Sequence, residues 1–314
     1  MDRSEALREV QKATIDTADA AGGMLSPSQS SQFITRVGEA TDFSKLVKVE
    51  RRTSATGTLN KMYGARRIIR KADENSDDGY RAAVTFPTVP YAAQKVRLPW
   101  EVTEDVFHEN IEGQNLEAKV VAEMEQAFGE DFEDLDFNGD TTSGDPFLNI
   151  NDGILKQLVD NAGSTHRVNG GLINSGNLSK AHLFAAKRAL PNRYRRDTGL
   201  VWAMSPNKAD TWTEYLTDRT TAAGDLALLG SGDQVDKPLR IPIVVVPSMP
   251  DSRILLLNPK NVVPVVTWDV RRRKVTGETD KSLAATDKRF YVFFVKRDIV
   301  IQEFDAVADV YGLA

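Results

Sequence analysis

The sequence predicts an α+β fold, a body carrying protruding extensions. Three observations lead there. From Arg51 to about Val89 the chain is polar and holds few large apolar residues. One sustained amphipathic helix follows, ending at Asn138-Gly139-Asp140. The second half then alternates helical and strand patterns, the signature of mixed layers around a core.

At 314 residues the chain is long enough for two compact lobes, or for one lobe with large extensions. Hydrophobic residues at 41% and charged residues at 27% are ordinary for a globular protein. Forty basic against 45 acidic residues leave a formal charge of -5, so the global field repels a polyanion. With 0 cysteines, disulfides, thiolate catalysis and thiolate metal sites are excluded. No apolar run approaches the roughly 18 residues of a membrane span. The start, Met1-Asp2-Arg3-Ser4-Glu5, lacks a secretory pattern, which predicts a protein made and kept in a cytoplasm.

Residues 1–31 are small and polar after a short helix from Ser4 to about Ala13, and predict an extended arm. A short amphipathic helix is expected over Ser28 to Ala40, with Phe33, Ile34 and Val37 on one face. Leu46, Val47 and Val49 are expected to open a strand. Thr58 to Tyr63 and Ala83 to Phe86 form the legs of a long β-hairpin over residues 52–92. Arg66, Arg67, Arg70 and Lys71, then Asp73, Glu74, Asp77 and Asp78, sit at or near its tip. So little apolar surface makes such a hairpin marginal alone, and it is expected to lie across another subunit.

Tyr91 to Trp100 reads as a returning strand, and a turn of helix is expected from Thr103 to Phe107. Leu116, Val120, Met124, Phe128, Phe132 and Leu135 then recur at helical spacing, predicting a helix over about 114–137. Gly113 through Asn115 supply its cap region and Asn138-Gly139 its stop. Further elements are expected at Ile154–Val159, Ser179–Leu190, Leu200–Met204, Asp210–Leu216 (led in by Pro206), Ile243–Val246 and Ile254–Leu257, with a small-residue loop over 220–232. Val262 to Val275 is β-rich. Phe290–Val295 and Ile299–Phe304 are expected as a hairpin about a Lys296-Arg297-Asp298 turn.

The order of these pieces resembles the major capsid proteins of tailed bacteriophages with the Hong Kong ninety-seven-type fold. The string Asp19 to Pro27 is similar to the family's end-of-arm segment, and Phe43 to Val49 to the strand entering its extended loop. Leu116 through Asp140 resembles the long spine helix with its terminal Asn-Gly-Asp. Pro146 to Ile150 resembles the segment after it, and Asp298 to Ile301 with Phe304 to Ala308 the closing strands. The resemblance implies an N-terminal arm (1–31), a peripheral lobe (32–51 and 93–144) with the spine helix, and an extended hairpin loop (52–92). It further implies an axial α/β lobe (145–260) and a return to the peripheral lobe (261–314). The implied function is self-assembly as pentamers and hexamers into an icosahedral shell around double-stranded DNA, bound without sequence specificity. Portal and decoration proteins are implied partners, and with about 30 residues before the body a scaffolding protein would be separate or absent. The implied location is the virion capsid, with assembly in the host cytoplasm. An encapsulin-like compartment shares the fold, but the N-terminal arm argues against it.

An enzyme finds no anchor in these residues. His108, His166 and His182 are far apart and lack metal-site spacing, so structural or surface roles are expected. Asp131, Glu133, Asp134, Asp136 and Asp140 would be the ligands of a metal-dependent hydrolase, the reading from another class. Carboxylates along one helix diverge, however, and a solvated or partner-facing side is expected. There is no G-x-S-x-G elbow and no phosphate loop. No cofactor or metal is expected. Three basic clusters remain: the hairpin set, then Arg193, Arg195 and Arg196, then Arg271 to Lys274. Inter-subunit ion pairing is expected for the hairpin set, with Asp73, Glu74, Asp77 and Asp78 as its acidic counterpart.

Overall fold

The computed structural model describes residues 34–35, 37, 40–61, 63–64, 79, 81, 84–103, 116–163, 166–217, 237–267, 271–275 and 288–314. The N-terminal arm, the expected turn of helix after Thr103, the cap region at 113–115 and the 220–232 loop lie outside them. In chain order the elements are α1 (Asp42–Leu46), β1 (Glu50–Arg52), β2 (Thr56–Asn60), β3 (Tyr63–Gly64), β4 (Val84–Thr85), β5 (Thr88–Ala92), β6 (Gln94–Thr103) and the long helix α2 (Leu116–Asn138). Then follow α3 (Ile154–Asp160), β7 (His166–Asn169), α4 (Lys180–Ala189), α5 (Asn192–Arg195), β8 (Val201–Met204), α6 (Pro206–Thr217), β9 (Ile243–Val245), β10 (Arg253–Leu257), β11 (Val262–Thr267), β12 (Arg271–Val275), β13 (Lys288–Ile301) and β14 (Ala308–Tyr311).

Two five-stranded sheets organise the body. In the first the order is β1-β11-β13-β12, with β6 also paired to β13. In the second it is β7-β14-β10-β8-β9. The apolar stripe predicted on α2 covers one face of the first sheet: Val121, Phe128, Phe132 and Leu135 pack with Val266, Phe293 and Val295. At about 1.5 Å per residue its 23 residues make a rod of roughly 34 Å.

The second sheet is buried on both faces, which explains the unbroken apolar run of β10. Ile254 and Leu256 point to the side covered by Leu183 and Leu190 of the α4 region and Trp212 of α6. Leu255 and Leu257 point to the other side, against Ile154 and Leu158 of α3 and Phe137 at the end of α2. Each fully buried Leu contributes about 1.5–3 kcal/mol relative to exposure. Ile299 and Ile301 of the first sheet enter the same core, which ties the two sheets together.

Helix α2 stops at a close backbone approach. Gly153 donates its N–H to Gly139 O at 2.8 Å, and a Cβ built on Gly139 would meet Asn151 O at 2.4 Å. Only glycine fits there, which is the physical content of the Asn-Gly stop.

Two expectations need correction. Leu46 ends a helix rather than opening a strand. Thr41 caps α1, accepting the Ser44 N–H at 3.3 Å, and Phe43 is buried edge-on to Phe137, with ring centroids 4.9 Å apart. Lys296-Arg297-Asp298 is not a turn, since β13 runs straight through it for 14 residues. The polar triplet is tolerated because distant groups satisfy it: Arg297 pairs with Asp136 of α2, and Asp298 accepts the Ala92 N–H at 2.8 Å. The C-terminal strand β14 lies in the second sheet. It pairs with β10 and β7 in the second sheet, where Val310 and Ala308 join the core.

Candidate assembly surface

The hairpin exists, with legs in a register extending further than the sequence suggests. Thr56 to Asn60 pairs antiparallel with Ala92 to Thr88, and Tyr63-Gly64 with Thr85-Val84. Its base is anchored on the first sheet. Leu59 and Tyr91 are the buried residues of β2 and β5, and they pack with Val263, Val265 and Val300. Ala93 donates to Ala55 O at 2.7 Å, and Lys61 reaches Glu303 at 3.6 Å. Gly57 sits under the Tyr91 ring, where a Cβ would come within 2.7 Å of the hydroxyl. Beyond this anchor apolar surface is exposed: Phe86 is 63% accessible. Two buried side chains contribute about 3–6 kcal/mol. Ordering the backbone costs about 1–2 kcal/mol per residue. The anchor therefore fixes the base of the hairpin on the first sheet.

The eight expected contact residues Arg66, Arg67, Arg70, Lys71, Asp73, Glu74, Asp77 and Asp78 lie outside the described residues, as does His108. The acidic run is split by α2. Asp131 is exposed, with its pKa raised by partial burial and by the like charges of Asp134 and Glu130. Glu133 and Asp136 turn inward instead, contrary to a wholly solvated or partner-facing side. Burial raises the Glu133 pKa, opposed by a hydrogen bond from Thr41. Burial also raises that of Asp136, opposed by the Arg297 guanidinium. Asp140 is lowered by the side-chain and backbone bonds of Thr142. Among the described residues no three His, Asp or Glu side chains converge where a metal ion could be held.

Members of two of the basic clusters serve the body's own structure. Arg195 donates to Arg188 O at 2.6 Å and Leu190 O at 2.8 Å, satisfying carbonyls at the end of α4. Arg193 lies near Glu303 and Asp305, each at 3.8 Å. Lys274 binds Glu117 of α2 at 2.9 Å. His182 is fully buried. Its Nδ1 accepts the Ser179 N–H at 3.2 Å and its Nε2 lies 3.1 Å from Gly170 O, completing a capping box on α4. The second sheet carries a buried ion group: Asp309 accepts from Arg167 at 3.0 Å, and Arg253 lies 3.6 Å away.

One charged surface was not legible as a sequence cluster. On β13, Phe290, Val292, Phe294 and Lys296 share the face opposite Phe293 and Val295. The register sets Lys95, Arg97, Pro99 and Glu101 of β6 beside them on one flank, and Arg273 of β12 on the other. Lys95 lies 4.6 Å and Arg273 6.0 Å from the Phe294 ring centre. Lys95, Arg97 and Arg273 are exposed, and Lys288 and Lys296 partly so. The carboxylate among them, Glu101, binds Lys288 at 2.9 Å. These residues are spread from 95 to 296, and only the strand register gathers them.

No family model matches the chain. An inferred prophage capsid protein, YqbE of Bacillus subtilis (strain 168), is 25% identical to it, over 98% of each chain. A chain of the satellite phage P4 procapsid superposes with a TM-score of 0.69 at 14% identity, covering 100% of this chain and 98% of the other. A chain of the native GTA particle capsid gives 0.60 at 14% identity, covering 88% and 91%. The protein has the tailed-phage capsid fold of the Hong Kong ninety-seven type.

Proposed function

We infer that the protein is a major capsid protein whose work is assembly rather than turnover. The observation that carries this reading is the hairpin stem: it is anchored by Leu59 and Tyr91 at the base and presents apolar surface such as Phe86 beyond it. Such a stem gains order and buried area on the body of a sister copy. Full-length likeness to a prophage capsid protein supports the same reading.

In finer detail, the sheet under α2 belongs to the peripheral lobe and the β7-β14-β10-β8-β9 sheet to the axial lobe. Axial lobes meet in pentamers and hexamers. The hairpin tip, with Arg66, Arg67, Arg70, Lys71, Asp73, Glu74, Asp77 and Asp78, crosses a neighbour. The closed shell encloses double-stranded DNA held without sequence specificity, in keeping with the net charge of -5. Portal and decoration proteins are its partners in the virion, and assembly takes place in the host cytoplasm, with scaffolding either a separate protein or absent.

The test is deletion of residues 60–80. The shortened chain should stay soluble as subunits or capsomers that fail to close, as seen by electron microscopy. Normal particles from the deletion would remove the hairpin from the mechanism. Purified wild-type particles that carried a packaged enzyme instead of DNA would favour the encapsulin-like alternative.

A further inference from the structure

The chain contains the Asn-Gly step at Asn138-Gly139 and again at Asn169-Gly170. This dipeptide carries a chemistry of its own. The glycine nitrogen can attack the carboxamide carbon of the asparagine, and glycine has no side chain to shield it. The new N–C bond closes a cyclic imide and expels ammonia. Water then opens the imide at either carbonyl, leaving aspartate or the β-linked isoaspartate. Water is the only co-reactant. The structure treats the two steps in opposite ways.

Asn138 is locked. Its Nδ2 donates to Asp134 Oδ1 and to Ser248 O, both at 2.6 Å, and the Gly139 N–H donates to Leu135 O at 2.9 Å. Gly139 is buried. Turning this carboxamide onto the Gly139 nitrogen would break all of these bonds inside a packed site, where unmade bonds are costly.

Asn169 is held in the reverse sense. It ends β7, at the edge of the second sheet, and it is exposed to water. Its Oδ1 accepts the Gly171 N–H at 3.1 Å, an Asx turn that folds the carboxamide back over the Gly170 peptide. The turn holds the carboxamide carbon close to the nitrogen that attacks it, and such positioning lowers the barrier to ring closure. Nδ2, which leaves as ammonia, makes no hydrogen bond among the described residues.

The fold itself requires this pair. A Cβ on Gly170 would come within 2.8 Å of Leu313 Cδ2 and 3.1 Å of Tyr311 O. The Gly170 carbonyl accepts the Ile173 N–H at 2.8 Å and lies 3.1 Å from His182 Nε2. Only glycine fits that cradle, and the residue before it must offer an acceptor to Gly171.

We propose that Asn169 is a site of self-modification, converting in the folded protein to isoaspartate and aspartate. Isoaspartate adds a backbone carbon between β7 and the Gly170–Leu172 turn, whose Leu172 is 84% exposed. Every modified copy also gains a negative charge at the sheet edge.

The test incubates purified full-length protein at pH 7.5 and 37 °C for weeks and reads tryptic peptides by mass spectrometry. Asn169 should convert at least about tenfold faster than Asn138. Hydroxylamine added during incubation should trap the imide at Asn169 as a hydroxamate. In urea the two steps should convert at similar rates, because the turn and the lock are both gone. Asn169→Ser keeps an oxygen for the Gly171 N–H and should leave the peptide between Arg167 and Lys180 unmodified. Native conversion at Asn169 no faster than at Asn138 would overturn the proposal. A gap that survives in urea would trace to sequence and overturn the role of the turn. Isoaspartate persisting in that peptide of Asn169→Ser would move the reaction to Asn174 or Asn177 and overturn it as well. The shell reading stands or falls separately from each of these results.

Discussion

Removing the Arg297 guanidinium tests what bolts the long helix to the central strand. Arg297 and Asp136 are each only 7% exposed, with Arg297 Nε donating to Asp136 Oδ1 at 3.2 Å and a second bond from the terminal nitrogen. The same guanidinium lies 4.5 Å from the Phe132 ring centre. Arg297→Leu leaves a buried carboxylate without its counter-charge, and such losses cost about 3–5 kcal/mol. That is a large part of the roughly 5–15 kcal/mol that holds a typical domain folded. Replacing both partners, Asp136→Leu with Arg297→Met, should be about neutral, because the pair's attraction is largely offset by its desolvation. Burial already raises the Asp136 pKa and Arg297 opposes that rise, so the single variant pushes it higher. A raised folded-state pKa means that stability is lost as pH rises through it. The deficit of Arg297→Leu should therefore shrink between pH 7.5 and pH 5. Urea unfolding of unassembled subunits, followed by circular dichroism at both pH values, gives these quantities. A cost under about 1 kcal/mol for the single variant, or a double variant as damaged as the single, would refute the reasoning.

Three further outcomes follow from the same contacts. Gly139→Ala places a Cβ against Asn151 O and should destabilise the subunit by about 3 kcal/mol, read by urea unfolding, since neither backbone can give way. Ser179→Ala removes half of the capping box on α4 and should lower stability by about 1–2 kcal/mol, seen as a drop in thermal midpoint. In the wild type, burial raises the carboxyls of Asp131, Glu133, Asp136, Asp298 and Asp309, while hydrogen bonds lower Asp140 and Asp251. Raised groups favour folding at lower pH and lowered groups withdraw support only once pH falls below the usual carboxylate range. The thermal midpoint should thus rise from pH 8 to about pH 5 and fall only under strongly acid conditions.

Local pattern carried the elements whose partners do not matter to their recognition. The long helix was legible because Phe128, Phe132 and Leu135 repeat at its period, and its predicted end at about 137 differs by one residue from Asn138. β10 was legible as a buried strand because Ile254 to Leu257 has two covered faces. What local pattern could not reveal was satisfaction from afar. Lys296-Arg297-Asp298 resembles a turn until Asp136, 161 residues earlier, is seen to neutralise Arg297. Glu133 and Asp136 resemble a solvated stripe until α1 and β13 close over them. For the same reason, the basic face was invisible in sequence. Lys95, Arg97, Arg273 and Lys296 never form a cluster along the chain, and only the pairing of β6 and β12 with β13 assembles them.

The most direct test of the whole account is the size of what purified full-length chains become at micromolar concentration near neutral pH. Sedimentation velocity should resolve a fast, narrow boundary, and electron micrographs of that fraction should show hollow, closed particles of uniform diameter. A single slow boundary at the subunit mass, unchanged over a hundredfold range of concentration, would contradict it.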